Sequence, residues 1–252
     1  METSNKQKAV SLVRMMATGD TGALSFIDAA GFVQHDLAIA DGVAGYERWL
    51  AQKPATAEID VVRVFEDGDH VITHSLYDLG EPRAAFDIFR FKDGKAVEHW
   101  NNFQDFGQPN PSGHTLLDGP TEVTDLDRTD QNKEIVSDFL TTHLINDSDD
   151  IARFFDGDAY IQHNSVIPDG VSGLLAAGKA FREKGMRAEF TAIHKVLGQG
   201  NFILAVSEGH VGTNPISFYD LYRVADGQIA EHWDILEPIK PEDAWKNANG
   251  KF

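Results

Sequence analysis

Four side chains towards the end of the chain have the chemistry to move a proton to or from a carbon atom: His210, Tyr219, His232 and Asp234. A carboxylate can remove a proton beside a carbonyl group, and a phenol or an imidazole can then hydrogen-bond to the enolate oxygen. Partial burial would raise the pKa of the carboxyl group towards the range that suits a base. These residue types predict enolate chemistry if the fold brings them together.

Two hairpin turns would place these side chains in one row across a sheet. With Asp226–Gly227 as a two-residue turn, antiparallel pairing sets Tyr219 opposite Asp234. With Asn214–Pro215 as the preceding turn, His210 falls opposite Tyr219 on the next strand. The sequence therefore predicts a cross-strand row of an imidazole, a phenol and a carboxylate.

The row depends on the strand register. His232 lies two residues before Asp234 and so shares its face of the strand. A slip of one residue would instead bring His210 beside Asp220 or turn Trp233 inward. Register is therefore the point that a structure has to test.

The chain carries an internal repeat. FVQHDLAIADGVAG at 32–45 matches YIQHNSVIPDGVSG at 160–173, and FDIFRFKDGKAVEHW at 86–100 matches YDLYRVADGQIAEHW at 219–233. The two pairs occur in the same order at offsets of 128 and 133 residues. A whole unit has therefore been duplicated, and each position can be compared with its partner in the other copy.

The repeat predicts a first domain at 1–106, a linker rich in Pro, Gly, Asp and Thr at 107–128, and a second domain at 129–252. Each copy has helices followed by four strands, which predicts an α+β fold with a curved antiparallel sheet and helices on its inner face. Helices are predicted at 5–16, 21–29, 43–52, 149–155 and 171–184, at 129–144 with Thr129 as N-cap, and briefly in 240–252; strands are predicted at 60–65, 70–79, 84–92, 95–104, 188–197, 202–213, 216–225 and 228–237.

The stretches YIQHNxxxxDGxxG and DLYRxxDGxIxEHWD resemble the SnoaL-like polyketide cyclase family of the nuclear-transport-factor-2-like superfamily, over about 30–104 and 158–237. The resemblance implies two tandem cone-shaped domains and a cofactor-independent, intramolecular aldol-type ring closure or a related isomerisation. In that family an aspartate just after the EHW motif acts as acid and base, and Asp234 matches it. The first copy has Asn101 there, which implies that its site is degenerate. A non-catalytic small-molecule binder or scaffold is the alternative.

Four further residues are predicted to bind the substrate: Tyr160, His163, Asn164 and Trp233. Asn164 could orient a carbonyl group, whereas a structural role competes with a pocket role for His163 and Trp233. At the offset of 133, His210 and Tyr219 match Tyr77 and Phe86, so the proton-transfer groups are confined to the second copy. Two acidic residues, Asp87 and Asp220, are expected to pair with Arg90 and Arg223 as structural ion pairs.

A metal site is the competing interpretation of the histidines. His163, His210 and His232 with Asp234 could supply three imidazoles and a carboxylate, which suits zinc or iron. No HxH or HExxH spacing supports this set, and the resemblance implies chemistry without metal or cofactor. Nucleotide-binding and acyl-serine motifs are missing as well. The prediction is that the chain uses no metal and no cofactor.

Charge and composition restrict the partners. Lys and Arg number 22 against 40 Asp and Glu, a net charge of −18 that disfavours nucleic acid and anionic membranes. There is no cysteine and no apolar run near the length of a membrane span, so we expect a soluble, cytoplasmic protein. The expected partner is a small apolar carbonyl compound. The two repeats are expected to form an intrachain pseudo-dimer, with room for a further homodimer.

Overall fold

The chain forms two units, each built on one five-stranded sheet with helices packed against it. The computed structural model describes residues 3–146, 148 and 150–252. The first unit comprises Met1–Phe106 together with Ile239–Phe252, and the second comprises Gly107–Pro238. The predicted α+β class and the duplicated sheet are confirmed, and the arrangement is consistent with two cone domains.

The first unit has the strand order β1-β5-β4-β3-β2. Its elements are α1 (Asn5–Thr18), β1 (Val33–Gln34), α2 (Gly42–Leu50), β2 (Glu58–Asp67), β3 (His70–Asp78), β4 (Pro82–Lys92) and β5 (Lys95–Asp105).

The second unit repeats that order as β6-β10-β9-β8-β7. Its elements are α3 (Thr129–Phe139), β6 (Ile161–Gln162), α4 (Val171–Glu183), β7 (Ala188–Gln199), β8 (Phe202–Val211), β9 (Asn214–Ala225) and β10 (Gln228–Pro238). The long strands match the predicted ones to within a few residues at each end.

Helix α1 shows how the sequence produces these elements. Leu12, Val13 and Met16 recur at helical spacing and lie buried in the core of the first unit. Ser4 and Gln7 form a capping box at the N-terminus, which satisfies free backbone N–H groups. The helix ends at Gly19, whose φ of 73° is readily adopted by glycine.

The remaining helical predictions are met in part. Thr129 is the first residue of α3 and not its N-cap, a position that Arg128 occupies without a side-chain cap. The helix then continues as a π-helical turn at Leu140–Ile145. Of the helix predicted at 149–155, the structure contains a 3₁₀ turn at Ala152–Phe154, and Asp149 lies outside the described residues. Among the described helices, none is long and apolar enough to cross a membrane.

The β9–β10 hairpin has the predicted turn but a different register. Asp226 and Gly227 have φ of 51° and 78°, as a two-residue hairpin turn requires. One extra residue, Ala230, then forms a bulge, because Ile229 pairs with Val224 while Glu231 already pairs with Arg223. From there on the register is shifted by one residue.

That shift changes what lies opposite the EHW motif. Asp234 is paired with Asp220, and Tyr219 is paired with Ile235. The prediction that Tyr219 faces Asp234 is therefore wrong. Tyr219 and Asp220 point to opposite faces of β9, so the shift exchanges a phenol for a carboxylate beside Asp234.

The β8–β9 hairpin turns earlier than predicted. Val211 pairs with Asn214, so Gly212 and Thr213 form the turn, and Gly212 has a φ of 60°. His210 is consequently paired with Pro215 and not with Tyr219, whose partner is Val206. The predicted row of His210, Tyr219 and Asp234 does not exist in the structure.

A short parallel strand joins the two repeated motifs. Gln162 of β6 pairs with His232 of β10, and Gln34 pairs with His99 in the first unit. The antiparallel sheets predicted from the sequence are therefore mixed. This pairing brings the QH motif (residues 34–35 and 162–163) beside the EHW motif (residues 98–100 and 231–233). Polar side chains of the two motifs therefore lie close together in each unit.

The domain boundaries differ from the predicted ones, because each unit receives the segment that follows the other unit's sheet. The segment after β5, predicted as a linker, belongs to the second unit, where Asn110 Nδ2 donates to the carbonyl oxygen of Gln162 at 2.6 Å. The segment after β10 belongs to the first unit, where Asn249 Nδ2 donates to the carbonyl oxygen of Gln34 at 2.9 Å.

Candidate active site

A cavity of about 370 Å³ lies in the second unit between α3, α4 and the sheet. Most of its wall is apolar, as is usual for a site that takes a small molecule. Polar side chains from β9, β10, β6 and the residues next to β6 collect in one part of the wall. They are Tyr160, Gln162, Asn164, Asp220, Tyr222, His232 and Asp234.

Asp234 is a buried carboxyl group with one oxygen held and one open. Its Oδ2 accepts a hydrogen bond from Asn164 Nδ2 at 2.6 Å. Its Oδ1 is buried and has no hydrogen-bond partner among the described residues. Burial raises the pKa of Asp234 to about 6, and the neighbouring Asp220 adds to this while His232 and Asn164 oppose it. Such a group can exchange a proton with a ligand near neutral pH.

His232 lies between an amide oxygen and a second carboxylate. Its Nδ1 is 2.9 Å from Gln162 Oε1, and its Nε2 is 3.1 Å from Asp220 Oδ1. Gln162 Oε1 also accepts the backbone N–H groups of His163 and Asn164, which fixes it as the oxygen end of the amide. Both ring nitrogens therefore face acceptors, a geometry that suits an imidazolium donating to both.

Two tyrosines complete this end of the cavity. Gln162 Nε2 donates to the hydroxyl of Tyr160 at 3.4 Å, so the hydroxyl hydrogen of Tyr160 stays available to a ligand. Tyr222 stacks on His232 with ring centroids 4.7 Å apart. Burial raises the pKa of both phenols well above the usual value. The phenols stay neutral and can donate to a carbonyl or enolate oxygen.

We expect Asp234 to make the stability of the protein depend on pH. Its folded-state pKa is raised from 3.8 to about 6, so the folded state holds the proton more tightly than the unfolded chain. Stability is therefore lost as the pH rises between these values, by about 3 kcal/mol in the free energy of unfolding. Urea unfolding measures this effect: between about pH 4 and pH 7, the free energy of unfolding of Asp234→Asn should rise relative to that of the wild type by about this amount. A difference that is constant with pH would contradict the expectation.

Half of the residues predicted for the site line the cavity. Those that line it are Tyr160, Asn164, His232 and Asp234, and those that do not, within the described chain, are His163, His210, Tyr219 and Trp233. Strand alternation explains part of the division, because Tyr219 and Trp233 belong to the opposite face from Asp220 and Asp234. His210 alternates along β8 with Val211, which lines the cavity, and so belongs to the other face of that strand.

His163 and Trp233 form a structural cluster on that other face. Their rings stack with centroids 4.5 Å apart, and both are buried. His163 Nε2 is 2.8 Å from Glu231 Oε1, and its Nδ1 is 2.9 Å from Asp118 Oδ1. Trp233 Nε1 donates to the carbonyl oxygen of Asp118 at 2.9 Å. The cluster attaches the segment after β5 to the second sheet.

Asp220 and Tyr222 are the site residues that sequence reasoning missed. The expected pairing of Asp220 with Arg223 is wrong, because Arg223 Nε donates to Glu231 Oε2 at 2.7 Å while Asp220 contacts His232. Neighbours along a strand point to opposite faces, and a residue three positions away cannot share the face of Asp220. The presence of the aspartate in both repeats was a signal that could have identified it.

The first unit has a similar group of side chains, but both oxygens of its aspartate already have hydrogen-bond partners. Asp87 Oδ1 is 3.0 Å from His99 Nε2. Its Oδ2 accepts from Tyr77 at 2.7 Å and from Thr73 at 3.5 Å. The expected ion pair of Asp87 with Arg90 is wrong, because Arg90 binds Glu98. In the second unit the matching oxygen, Asp220 Oδ2, has no hydrogen-bond partner among the described residues.

Sheet register explains this difference. In the first unit Tyr77 pairs with Arg83, and Thr73 pairs with Asp87. The corresponding residues of β9, Ile216 and Asp220, pair with Gly209 and Ala205. The β8–β9 hairpin is one residue longer than the β3–β4 hairpin, so the fixed offset of 133 wrongly matches Tyr77 with His210. Two hydroxyl donors are therefore replaced by a glycine and an alanine.

The amide–carboxylate pair is kept in both units with its members exchanged. In the first unit Asn101 Nδ2 donates to Asp36 Oδ2 at 2.7 Å. In the second unit the positions of Asp36 and Asn101 are taken by Asn164 and Asp234. The carboxylate of the pair is thus at the half-buried position of Asp36 in the first unit and at the buried position of Asp234 in the second.

The described side chains that could hold a cation form two clusters, and neither is the set considered in the sequence. One cluster is His114, Asp118 and His163, outside the cavity, and the other lies in the cavity wall. Asp220, His232 and Asp234 each place one ligand atom within 4.8 Å of the others. To bind a cation through Nε2, His232 would have to give up its hydrogen bond to Asp220 Oδ1. His163 and His210 lie elsewhere, so the predicted set is not brought together.

No protein-family model and no curated protein matches the chain. An NTF2-like protein from Cytophaga hutchinsonii is 14% identical over 41% of this chain and 93% of its own, with a TM-score of 0.36. A candidate ketosteroid isomerase from Kribbella flavida is 15% identical over 45% and 84%, with a TM-score of 0.38. A candidate polyketide cyclase from Acidithiobacillus ferrooxidans is 19% identical over 41% and 92%, with a TM-score of 0.35. These likenesses describe a fold and carry no argument about chemistry.

Proposed function

We propose that the second unit is a cofactor-independent acid/base enzyme that acts on a small carbonyl compound through an enolate. The observation that carries the proposal is the open, buried Oδ1 of Asp234 at the polar end of an apolar cavity. The proposal extends to an intramolecular aldol-type cyclisation or a related isomerisation. It agrees with the activity that the sequence motifs imply.

Each polar side chain has a role in this mechanism. Asp234 Oδ1 removes the proton on the carbon next to the carbonyl group, while Asn164 holds Oδ2 and so fixes the carboxylate. The neutral phenol of Tyr160 donates to the enolate oxygen as negative charge develops on it. His232 and Asp220 keep a proton and a compensating charge close to Asp234. The proton then returns from Asp234 to carbon or to the new hydroxyl group.

The first unit is assigned a structural role. Its Asp87 is occupied by the hydroxyl groups of Tyr77 and Thr73, so a substrate would have to displace two donors. Its Asn101 cannot act as a base. These two differences support placing the activity in the second unit.

The test is exchange of deuterium from heavy water into a panel of β-keto esters and cyclic diketones, with and without a chelator. Exchange that is faster than in buffer and resistant to the chelator supports the proposal. Loss of exchange on chelation would replace it by a metal-dependent reaction at Asp220, His232 and Asp234. Tight binding of these compounds without any exchange would favour a binding protein.

The pH dependence of exchange gives a separate prediction. Because the base is the ionised form of Asp234, kcat/KM should fall about tenfold per pH unit below the pKa of about 6 and level off above it. The profile is measured on a β-keto ester from about pH 5 to pH 8, with the buffer rate subtracted. A profile that stays flat across this range would remove Asp234 from the role of base.

A further inference from the structure

Acidic and basic side chains line the cavity at different depths. Asp220 and Asp234 are each only 5% exposed. The basic side chains among the lining residues, histidines apart, are the exposed Arg182 and the half-buried Arg187. Arg182 is on α4, and Arg187 is in the connection from α4 to β7. The cavity is therefore acidic at its buried end and basic at its rim.

The rim around these arginines is open to solvent and partly apolar. Met186 and Val166 line the cavity and are 54% and 59% exposed. Gly178 also lines the cavity, and a Cβ atom there would come within 3.8 Å of Arg182 Nη1. The guanidinium group thus lies along the wall of the cavity and does not simply extend into solvent. A ligand that enters has to pass an apolar surface beside a cation.

Basic residues are concentrated in this segment against the charge of the whole chain. Residues 179–187 contain Lys179, Arg182, Lys184 and Arg187 with Glu183 as the single acidic residue, in a chain of net charge −18. A local excess of this kind attracts anions that the remainder of the surface repels.

The first unit differs at the corresponding place. Helix α2 has Arg48 in its last turn, as α4 has Arg182, but no arginine follows in the connection to the next strand. Helix α2 has 9 residues where α4 has 13, and the connection to β2 reads AQKPATA. The one basic residue of that connection is Lys53. The arginine pair therefore occurs in the unit that has the open carboxylates and the cavity.

We propose that the ligand of this cavity carries an oxyanion, a carboxylate or a phosphate, that binds Arg182 and Arg187 at the rim. An apolar chain or ring connects this group to the carbonyl group that lies at Asp234. Arginine suits planar carboxylates and phosphates because its N–H groups form paired hydrogen bonds. The buried carboxyl groups repel an anion, so the ligand enters with its neutral carbonyl end first. The carbonyl end rests on the proposed function, whereas the oxyanion end does not.

The test compares ligands that differ only in their head group: decanoate, decyl phosphate and decanol, with binding measured by calorimetry. The wild type should bind decanoate or decyl phosphate about tenfold more tightly than decanol, since one charge-assisted pair at a partly exposed site contributes about this much. The tighter of the two anions identifies the oxyanion. Arg182→Gln with Arg187→Gln should reduce anion binding to the level of decanol.

The matched control is Lys179→Gln with Lys184→Gln, which removes the same charge from the same segment at residues that do not line the cavity. It should leave anion binding unchanged, and unchanged decanol binding shows that the arginine variant is folded. Equal binding of decanol and both anions by the wild type overturns the proposal, and so does an equal loss in the lysine variant or no anion binding. Binding is measured without turnover, so this result and that of the exchange assay can fail separately.

Discussion

Replacing Asp234 by asparagine is expected to lower the rate of enzyme-catalysed deuterium exchange by about 10²- to 10⁴-fold, the usual contribution of a general base. The amide cannot accept the proton from carbon, yet its oxygen can still accept the hydrogen bond from Asn164. The fold should therefore survive, and the loss should appear in kcat more than in KM. Exchange of a β-keto ester in heavy water measures the effect.

The matched control is Asp36→Asn, which makes the same change at the carboxylate of the first unit that is hydrogen-bonded to Asn101. Exchange should persist in this variant, because the first unit is assigned a structural role. An Asp234→Asn protein that still catalyses exchange would remove the assignment of Asp234. A loss of exchange in Asp36→Asn alone would move the active site to the first unit.

Deleting Pro241–Phe252 is expected to destabilise the first unit selectively. This segment donates to backbone carbonyl groups of residues 34–39, here called the QH loop, from Lys246 N and from the side-chain amides of Asn247 and Asn249. The carbonyl oxygen of Gly250 also accepts a hydrogen bond from His35 Nδ1. At about 1 kcal/mol for each hydrogen bond, the deletion should cost about 3–6 kcal/mol.

Hydrogen exchange with mass spectrometry can locate this effect. Peptides from β4 and β5 should lose protection in the truncated protein, while peptides from β9 and β10 keep it. Glu242→Gln with Asp243→Asn is the control, since both side chains lie in the exposed turn of the same segment. Equal protection of β4 and β5 in the truncated and complete proteins would show that the segment does not stabilise the unit.

Elements with strong local signals were predicted well from the sequence. The eight long strands and α1, α2 and α4 occur where they were predicted, to within a few residues at their ends. The Asp226–Gly227 turn was also predicted, because the Asp-Gly pair favours the positive φ that this hairpin turn needs. The duplication was visible directly, and it predicted two similar sheets.

The site was predicted only in part, because it depends on the register of two hairpins. The pairing of β9 with β10 differs from the prediction by one residue, and that of β8 with β9 differs by more, since His210 pairs with Pro215 where Tyr219 was predicted. Ala230 forms a bulge in β10, and neither it nor its neighbours Ile229 and Glu231 is a glycine or proline that would have indicated the bulge in the sequence. The turn after β8 uses Gly212 and Thr213, although Asn214–Pro215 is the stronger turn signal in sequence. The first change places Asp220 and not Tyr219 opposite Asp234, and the second places Val206 and not His210 opposite Tyr219. Local preferences cannot fix such shifts when the packing of a whole sheet decides them.

The exchange of trailing segments also affects the order in which the protein can be completed during synthesis. The second unit consists of one continuous stretch, Gly107–Pro238, whereas the first needs Ile239–Phe252 as well. A ribosome therefore makes every residue of the second unit before it makes the last residues of the first. The unit that is encoded first is the one that is finished last, and until then its QH loop lacks the partners of its carbonyl groups.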